Sequence, residues 1–256
     1  MKPNRTISLI LLLSLTLLCF VRQPQKVTVW SIGDSTMCDF DLKYLIKSGG
    51  ADYPVRGWMQ MMPQFFTDQV IVHNAARSGR SSKSFRDEGL WKPVIDNVKP
   101  GDYVFIMFGG NDQKPDSARH TEPRTGFKQN MLAYVNEVKA KGAYPILFTS
   151  IVRREFGKDG KLVDTYGDYV PAVRDLAKET NTPMVDLYKK TWNLVESAGP
   201  EGSKKLFLYI EKGRYATLPD GKQDNSHLCI LGATKVAGLA AEGLKEIKSP
   251  LAKYLK

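Results

Sequence analysis

Residues 103–108 read Tyr-Val-Phe-Ile-Met-Phe, and Gly109-Gly110-Asn111-Asp112 follows without a break. A run this short and this apolar, with no polar alternation, suits a central parallel strand covered on both faces. The glycines, asparagine and aspartate that end it are turn chemistry. Working outward, the same kind of run recurs. Residues 26–32 (KVTVWSI) are rich in β-branched side chains and stop at Gly33, 70–75 (VIVHNA) and 144–149 (YPILFT) have strand length, and 184–187 is a shorter run. Helical patterns lie between and after them: 55–66 with Pro63 as a break, 127–141, 169–179 and 231–247. In 127–141, for example, Met131, Leu132, Val135 and Val138 return at helical spacing. Strand alternating with helix implies βαβ crossovers. The expected fold is therefore α/β, a three-layer α/β/α sandwich with a mostly parallel central sheet. Residues 199–226 have no clear core pattern and read as a surface excursion, not a second domain.

The chain of 256 residues is long enough for one sizeable domain, and its 42% hydrophobic and 25% charged content is ordinary for a globular protein. Lys2 and Arg5 precede an apolar run over 7–20, which is short for a membrane span. Residues 1–22 are read as a signal peptide and 23–256 as the domain, which places the protein outside the cytoplasm, secreted or periplasmic. No A-x-A-like cleavage site follows the run, and bulky Leu18 before Cys19 is unlike a lipidation motif. No later segment is apolar enough for a stable membrane span once the leader is removed. The net charge of +10 draws a protein toward polyanions. There is no basic block or aromatic-basic repeat of a nucleic-acid module, so no nucleic-acid partner is expected.

In open α/β sheets, ligands bind beyond the carboxyl ends of the strands, so the polar residues there carry the functional information. Gly33-Asp34-Ser35-Thr36 follows the first strand. Its serine is either a helix N-cap or a hydroxyl exposed at a helix N-terminus, where developing negative charge is favoured. Residues 74–82 (NAARSGRSS) follow the second strand, and Gly79 there either makes a tight turn or offers an unobstructed N–H. Asn111 stands after the most hydrophobic strand, where its amide can face the crevice. Asp224-Asn225-Ser226-His227 precedes the last helix. A carboxylate three residues before an imidazole can hold its Nδ1–H and leave Nε2 free as a base.

Each signal is weak alone, but the four arise in order, three of them directly after strands. The set G-D-S, Gly79, G-x-N-D and D-x-x-H resembles the SGNH (GDSL-type) hydrolases. The longer strings WSIGDSTM (30–37), NAARSGRSSKSF (74–85) and DNSHLCILGATKVA (224–237) resemble the rhamnogalacturonan acetylesterase branch, and the likeness runs over about 27–244. It implies the SGNH, flavodoxin-like form of the sandwich. It also implies Ser35 as nucleophile, His227 as general base and acid, and Asp224 as its orienter. The oxyanion hole would be the N–H groups of Ser35 and Gly79 with the Asn111 side chain. Acyl transfer would run through an acetyl-Ser35 intermediate with no metal or organic cofactor. The implied substrate is an acetylated pectic polysaccharide. Two positions depart from the branch: Gly110 stands where many members have histidine, and Leu228-Cys229 where an aromatic residue and serine are usual.

Other residues keep two readings. Cys38 and Cys229 lie close in sequence to Ser35 and His227, and are either bonded or free thiols. Trp58 and Trp91 are sugar platforms or core residues. Arg77 and Arg80 flank Gly79 and are candidates for binding uronate carboxylates. His73 suits a strand and His120 a solvent-facing loop. The rival functions are an esterase acting on acetylated xylan or a short-chain lipid ester, and a noncatalytic glycan-binding protein on the same fold.

Overall fold

The computed structural model describes residues 26–256. The leader assignment over 1–22, with Cys19, lies outside the described residues. Five strands form a parallel sheet in the order β2-β1-β3-β4-β5: β1 (Val27–Gly33), β2 (Val70–Asn74), β3 (Tyr103–Met107), β4 (Tyr144–Phe148) and β5 (Met184–Val185). This is the flavodoxin-like order, with its switch point between β1 and β3. β1 is flanked in register by both partners, Ser31 pairing with Asn74 of β2 and Phe105 of β3.

The alternation of side chains along each strand divides the core in two. Val29, Phe105, Met107, Ile146 and Phe148 face the helices Trp58–Met61 and Ile230–Glu246. Ile32, Val104, Ile106 and Leu147 face the helices Trp91–Asn97, Lys128–Ala140 and Tyr169–Glu179. Every residue of β3 is buried, which is why its sequence shows no polar alternation. Burial on both faces makes this strand the rigid floor from which the 109–112 loop rises.

Two expectations are corrected. The expected helix over 55–66 is shorter: an α-turn Trp58–Met61 passes into a 3-10 turn Met62–Phe65 with Pro63 near its start. Proline lacks the N–H that would continue the α-helical pattern. The region 199–226 is only in part a surface excursion, since mostly exposed turns occupy residues 211–221 and ordered elements the rest. A helical stretch Leu187–Gly202, kinked at Gly199, runs into it, and it then contributes β6 (Phe207–Ile210) to an antiparallel pair with β7 (Lys222–Leu228). Phe207 and Leu208 are buried in the first core. Their four-residue apolar run was too short to stand out between polar turns. Among the described residues, no helix is long and apolar enough to cross a membrane.

Candidate active site

The turn after β1 carries Ser35. Asp34 makes that turn: its Oδ1 accepts from the Thr36 N–H (2.9 Å) and the Thr36 hydroxyl (2.7 Å), while its carbonyl accepts from Met37 and Cys38 N–H. Burial pushes the Asp34 carboxyl above its ordinary pKa, and the Thr36 hydrogen bonds pull the other way. Gly33 has no room for a side chain, because a Cβ there would stand 2.7 Å from the Met107 carbonyl of β3.

β7 brings the other half. His227 Nε2 lies 2.9 Å from Ser35 Oγ, and His227 Nδ1 lies 2.8 Å from Asp224 Oδ2. Asp224 Oδ1 accepts the N–H groups of Ser226 and His227, each at 2.9 Å. Burial opposes charge on Asp224. The hydrogen bond and positive field of His227, with the two backbone donors, outweigh it and hold the carboxyl well below the usual carboxylate range. Asp224 is therefore anionic at neutral pH, suited to orienting Nδ1–H and stabilising an imidazolium.

The loop after β2 is locked beside the serine turn. Asn74 Oδ1 accepts from Ser31 Oγ and Ala76 N–H, while its Nδ2 donates to the Met37 carbonyl and Asp39. Gly79 adopts φ = +80°, where a Cβ would touch nothing within 4 Å, so the demand for glycine is conformational. Among the described residues, no acceptor takes the N–H of Ser35 or of Gly79. Asn111 gives one Nδ2 hydrogen to the Arg80 carbonyl (3.1 Å), leaving the other for a ligand. Asp112 is fully buried and gathers the donors that join these loops: Ser82 N–H and hydroxyl, Thr121 hydroxyl and Gly109 N–H. Burial raises its pKa to about 6 against those hydrogen bonds.

A pocket of about 340 Å³ opens over this arrangement, with Ser35, His227 and Asn111 in its wall. Gly79 is outside the residues that line it. The remaining wall is polar, and Gln113, Lys114, Arg153 and Tyr166 belong to it. Arg153 and Tyr166 escaped sequence reasoning. They lie in the irregular segment after β4, where no periodicity marks a residue as facing the site. Arg154 was also missed. It donates from its backbone to the Asn225 carbonyl (2.8 Å) and from its side chain to Asn225 Oδ1 (3.0 Å), clamping the loop between Asp224 and His227.

Several candidates lie elsewhere. Trp58 is fully buried against Phe148, with ring centroids 5.3 Å apart, so it has no face to offer a sugar. Trp91 is likewise buried, its indole N–H on Glu137. Arg80 is engaged by Glu88 and the Ser78 carbonyl, whereas Arg77 is exposed. Cys38 and Cys229 are free thiols: Cys38 Sγ faces the Ser35 carbonyl, and Cys229 Sγ donates to the Lys205 carbonyl. His73 is exposed and stacks on Trp30, and His120 pairs with Glu122.

The GDSL-like lipase/acylhydrolase family model matches residues 31–206. The chain is 38% identical over 231 residues to the rhamnogalacturonan acetylesterase RhgT of Bacillus subtilis, covering 90% of this chain and 95% of that protein. The crystal structure of the Bacillus subtilis protein YxiM superposes with a TM-score of 0.73 at 30% identity, covering 88% of this chain but 58% of that longer chain. An acetylxylan esterase from Geobacillus stearothermophilus shares the fold, with a TM-score of 0.57 at 19% identity, over 90% of this chain and 98% of that one. On the extent of these matches, the chain belongs to the GDSL-like lipase/acylhydrolase family.

Proposed function

We propose that this protein is an exported esterase that removes acetyl groups from pectic polysaccharide of the rhamnogalacturonan type. The observation that carries the reading is the unbroken hydrogen-bond chain Asp224–His227–Ser35 at the mouth of a polar pocket. It supports a carboxylic ester hydrolase, and the likeness to RhgT over nearly all of both chains supports a carbohydrate acetylesterase.

In this mechanism His227 Nε2 takes the proton of Ser35 Oγ as the oxygen attacks the acetyl carbonyl carbon. The oxyanion is met by the uncommitted N–H groups of Ser35 and Gly79 and by the remaining Nδ2 hydrogen of Asn111. His227 then gives that proton to the departing sugar oxygen as its bond to the acyl carbon breaks, so that the sugar leaves as a free hydroxyl and acetyl-Ser35 remains. Water, deprotonated by the same imidazole, attacks the acyl carbon, and acetate leaves as Ser35 regains its proton. Export rests on the charged and apolar pattern of residues 1–22.

Lipid esters fit poorly, since the wall offers Asp34, Gln113, Lys114 and Arg153 in place of an apolar entrance. Acetate release from acetylated rhamnogalacturonan, acetylated xylan and a short-chain aryl acetate tests the reading. Preference for the pectic substrate is expected. Preference for xylan would move the protein to another acetylesterase specificity, and glycan binding with no acetate release from any substrate would make it a noncatalytic binder.

A further inference from the structure

Arg153 stands in the pocket wall as a half-buried cation that pairs with no carboxylate among the described residues. Its guanidinium is positioned by neutral groups. Nη1 donates to Gln113 Oε1 (2.8 Å) and the Thr165 carbonyl (3.3 Å), Nη2 donates to the Gly110 carbonyl (3.0 Å), and the group lies 4.5 Å above the Tyr166 ring. Of the five N–H donors of an arginine, these bonds leave the Nε–H and one on Nη2 uncommitted. The neighbouring Arg154 contrasts with it. That side chain is buried, away from the pocket, and its Nε, Nη1 and Nη2 all donate to protein acceptors: Ser203, Tyr209, Asn225 and the Pro200 carbonyl.

Gly110 makes this placement feasible. A Cβ there would meet Asp34 Oδ2 at 3.0 Å, the Tyr166 hydroxyl at 3.5 Å and Arg153 Nη2 at 3.6 Å. A larger side chain at that position, such as histidine, would compete for the space that Arg153 and Tyr166 occupy. Asp34 feels the field of Arg153 but directs its Oδ1 to Thr36 and forms no ion pair with the guanidinium. Lys114 adds a second positive charge to the wall.

We infer that Arg153 is a specificity-determining residue that binds a carboxylate of the substrate, so that the pocket selects an ester carried on an acidic saccharide. A guanidinium without an ion-pair partner, held flat with two free donors, is suited to receiving a carboxylate, and a lysine would not reproduce its planar fork. The inference rests on the reading of this pocket as an acetylesterase site, and it transfers to Arg153 the role first considered for Arg77 and Arg80.

The test uses the whole protein with a neutral aryl acetate as reporter, and trigalacturonate and its methyl ester as competing ligands. The wild type should be inhibited at least about ten-fold more strongly by the acid than by the ester. Arg153→Met should lose that preference, read as the ratio of acid to ester inhibition within the variant whatever its turnover of the aryl acetate, and Arg153→Lys should recover only part of it. Equal inhibition of the wild type by acid and ester, or by neither, overturns the inference, as does an unaltered preference in Arg153→Met. If Arg153→Met does not fold, the wild-type and Arg153→Lys comparisons still decide. Failure to release acetate from pectin, with the preference for the acid intact, would count against the proposed substrate and leave the role of Arg153 standing.

Discussion

Ser35 Oγ and His227 Nε2 stand 2.9 Å apart although 192 residues separate them in the chain. The contact joins the turn after strand β1 to the end of the β6–β7 pair, and neither half of the site exists without the other. Ser35→Ala should lower aryl acetate turnover by at least about 10³-fold with little change in thermal stability, because no acyl-enzyme can form. Asp224→Asn should lose roughly 10⁴-fold through the wrong imidazole tautomer. Steady-state rates and organophosphonate labelling of Ser35 measure both effects. Near wild-type turnover by Ser35→Ala would remove the serine from the mechanism.

Asn111 and Gly79, both proposed to meet the oxyanion, separate the loss of a side-chain donor from strain on a backbone one. Asn111→Ala should cost about 10²–10³ in turnover with KM little altered. Gly79→Ala meets no steric obstacle, but its φ of +80° is unfavourable for alanine, so a stability loss of about 1–2 kcal/mol is expected. Denaturant midpoints and rates on the same samples distinguish the two. A turnover unaffected by Asn111→Ala would exclude its amide from transition-state binding.

The fold was legible because β1, β3 and β4 are apolar runs ended by turn residues, and a strand buried on both faces has to be written that way. Asp224 and His227 were legible because their spacing is local. What was hidden depends on long-range packing. Arg153 and Arg154 are adjacent and alike in sequence, yet one faces the pocket and the other the loop 224–227, a division made by Gln113 and Tyr166 on one side and Tyr209 and Asn225 on the other. Trp58 misled for the same reason, since an aromatic residue on a short helix reads alike whether it meets Phe148 or a sugar.

The two thiols should differ in reactivity. Burial, helped by Asp34 and Asp39, pushes the Cys38 thiol up to about 12, while Cys229 is half-exposed. An aromatic disulfide reagent should modify Cys229 in the native protein, and Cys38 only after denaturation. Failure of both thiols to react in denatured, unreduced protein would mean that they are bonded.

Asp112 gives the fold a pH dependence of definite sign. Its folded pKa of about 6 lies above the ordinary value of about 3.9, so between these limits the native state binds the proton more tightly than the unfolded chain. Its contribution is full below about pH 4 and is lost as pH rises through about 6, by at most about 3 kcal/mol. Asp112→Asn should be less stable overall, since an amide nitrogen would face the Gly109 and Ser82 donors, and it should lack this slope. Urea unfolding at intervals from pH 4 to 7 reads the difference, and parallel curves for the two proteins would refute the assignment.

Arg154 should act on catalysis only through the loop it holds. Its guanidinium and backbone N–H both grip Asn225, the residue after Asp224, and it has no place in the pocket wall. Arg154→Met removes the charged donor from Asn225 Oδ1 and from the Pro200 carbonyl, which keep only the Tyr209 and Ser203 hydroxyls in a part-buried setting, so about 1–3 kcal/mol of stability should go. Among molecules that remain folded, His227 would drift from Ser35. The turnover number should therefore fall about ten-fold or more while KM for an aryl acetate stays nearly constant, and Arg154→Lys should restore little of it because one ammonium cannot reach acceptors on three sides. A variant that loses stability but keeps its turnover number would show that Arg154 braces the fold without setting the geometry of the imidazole.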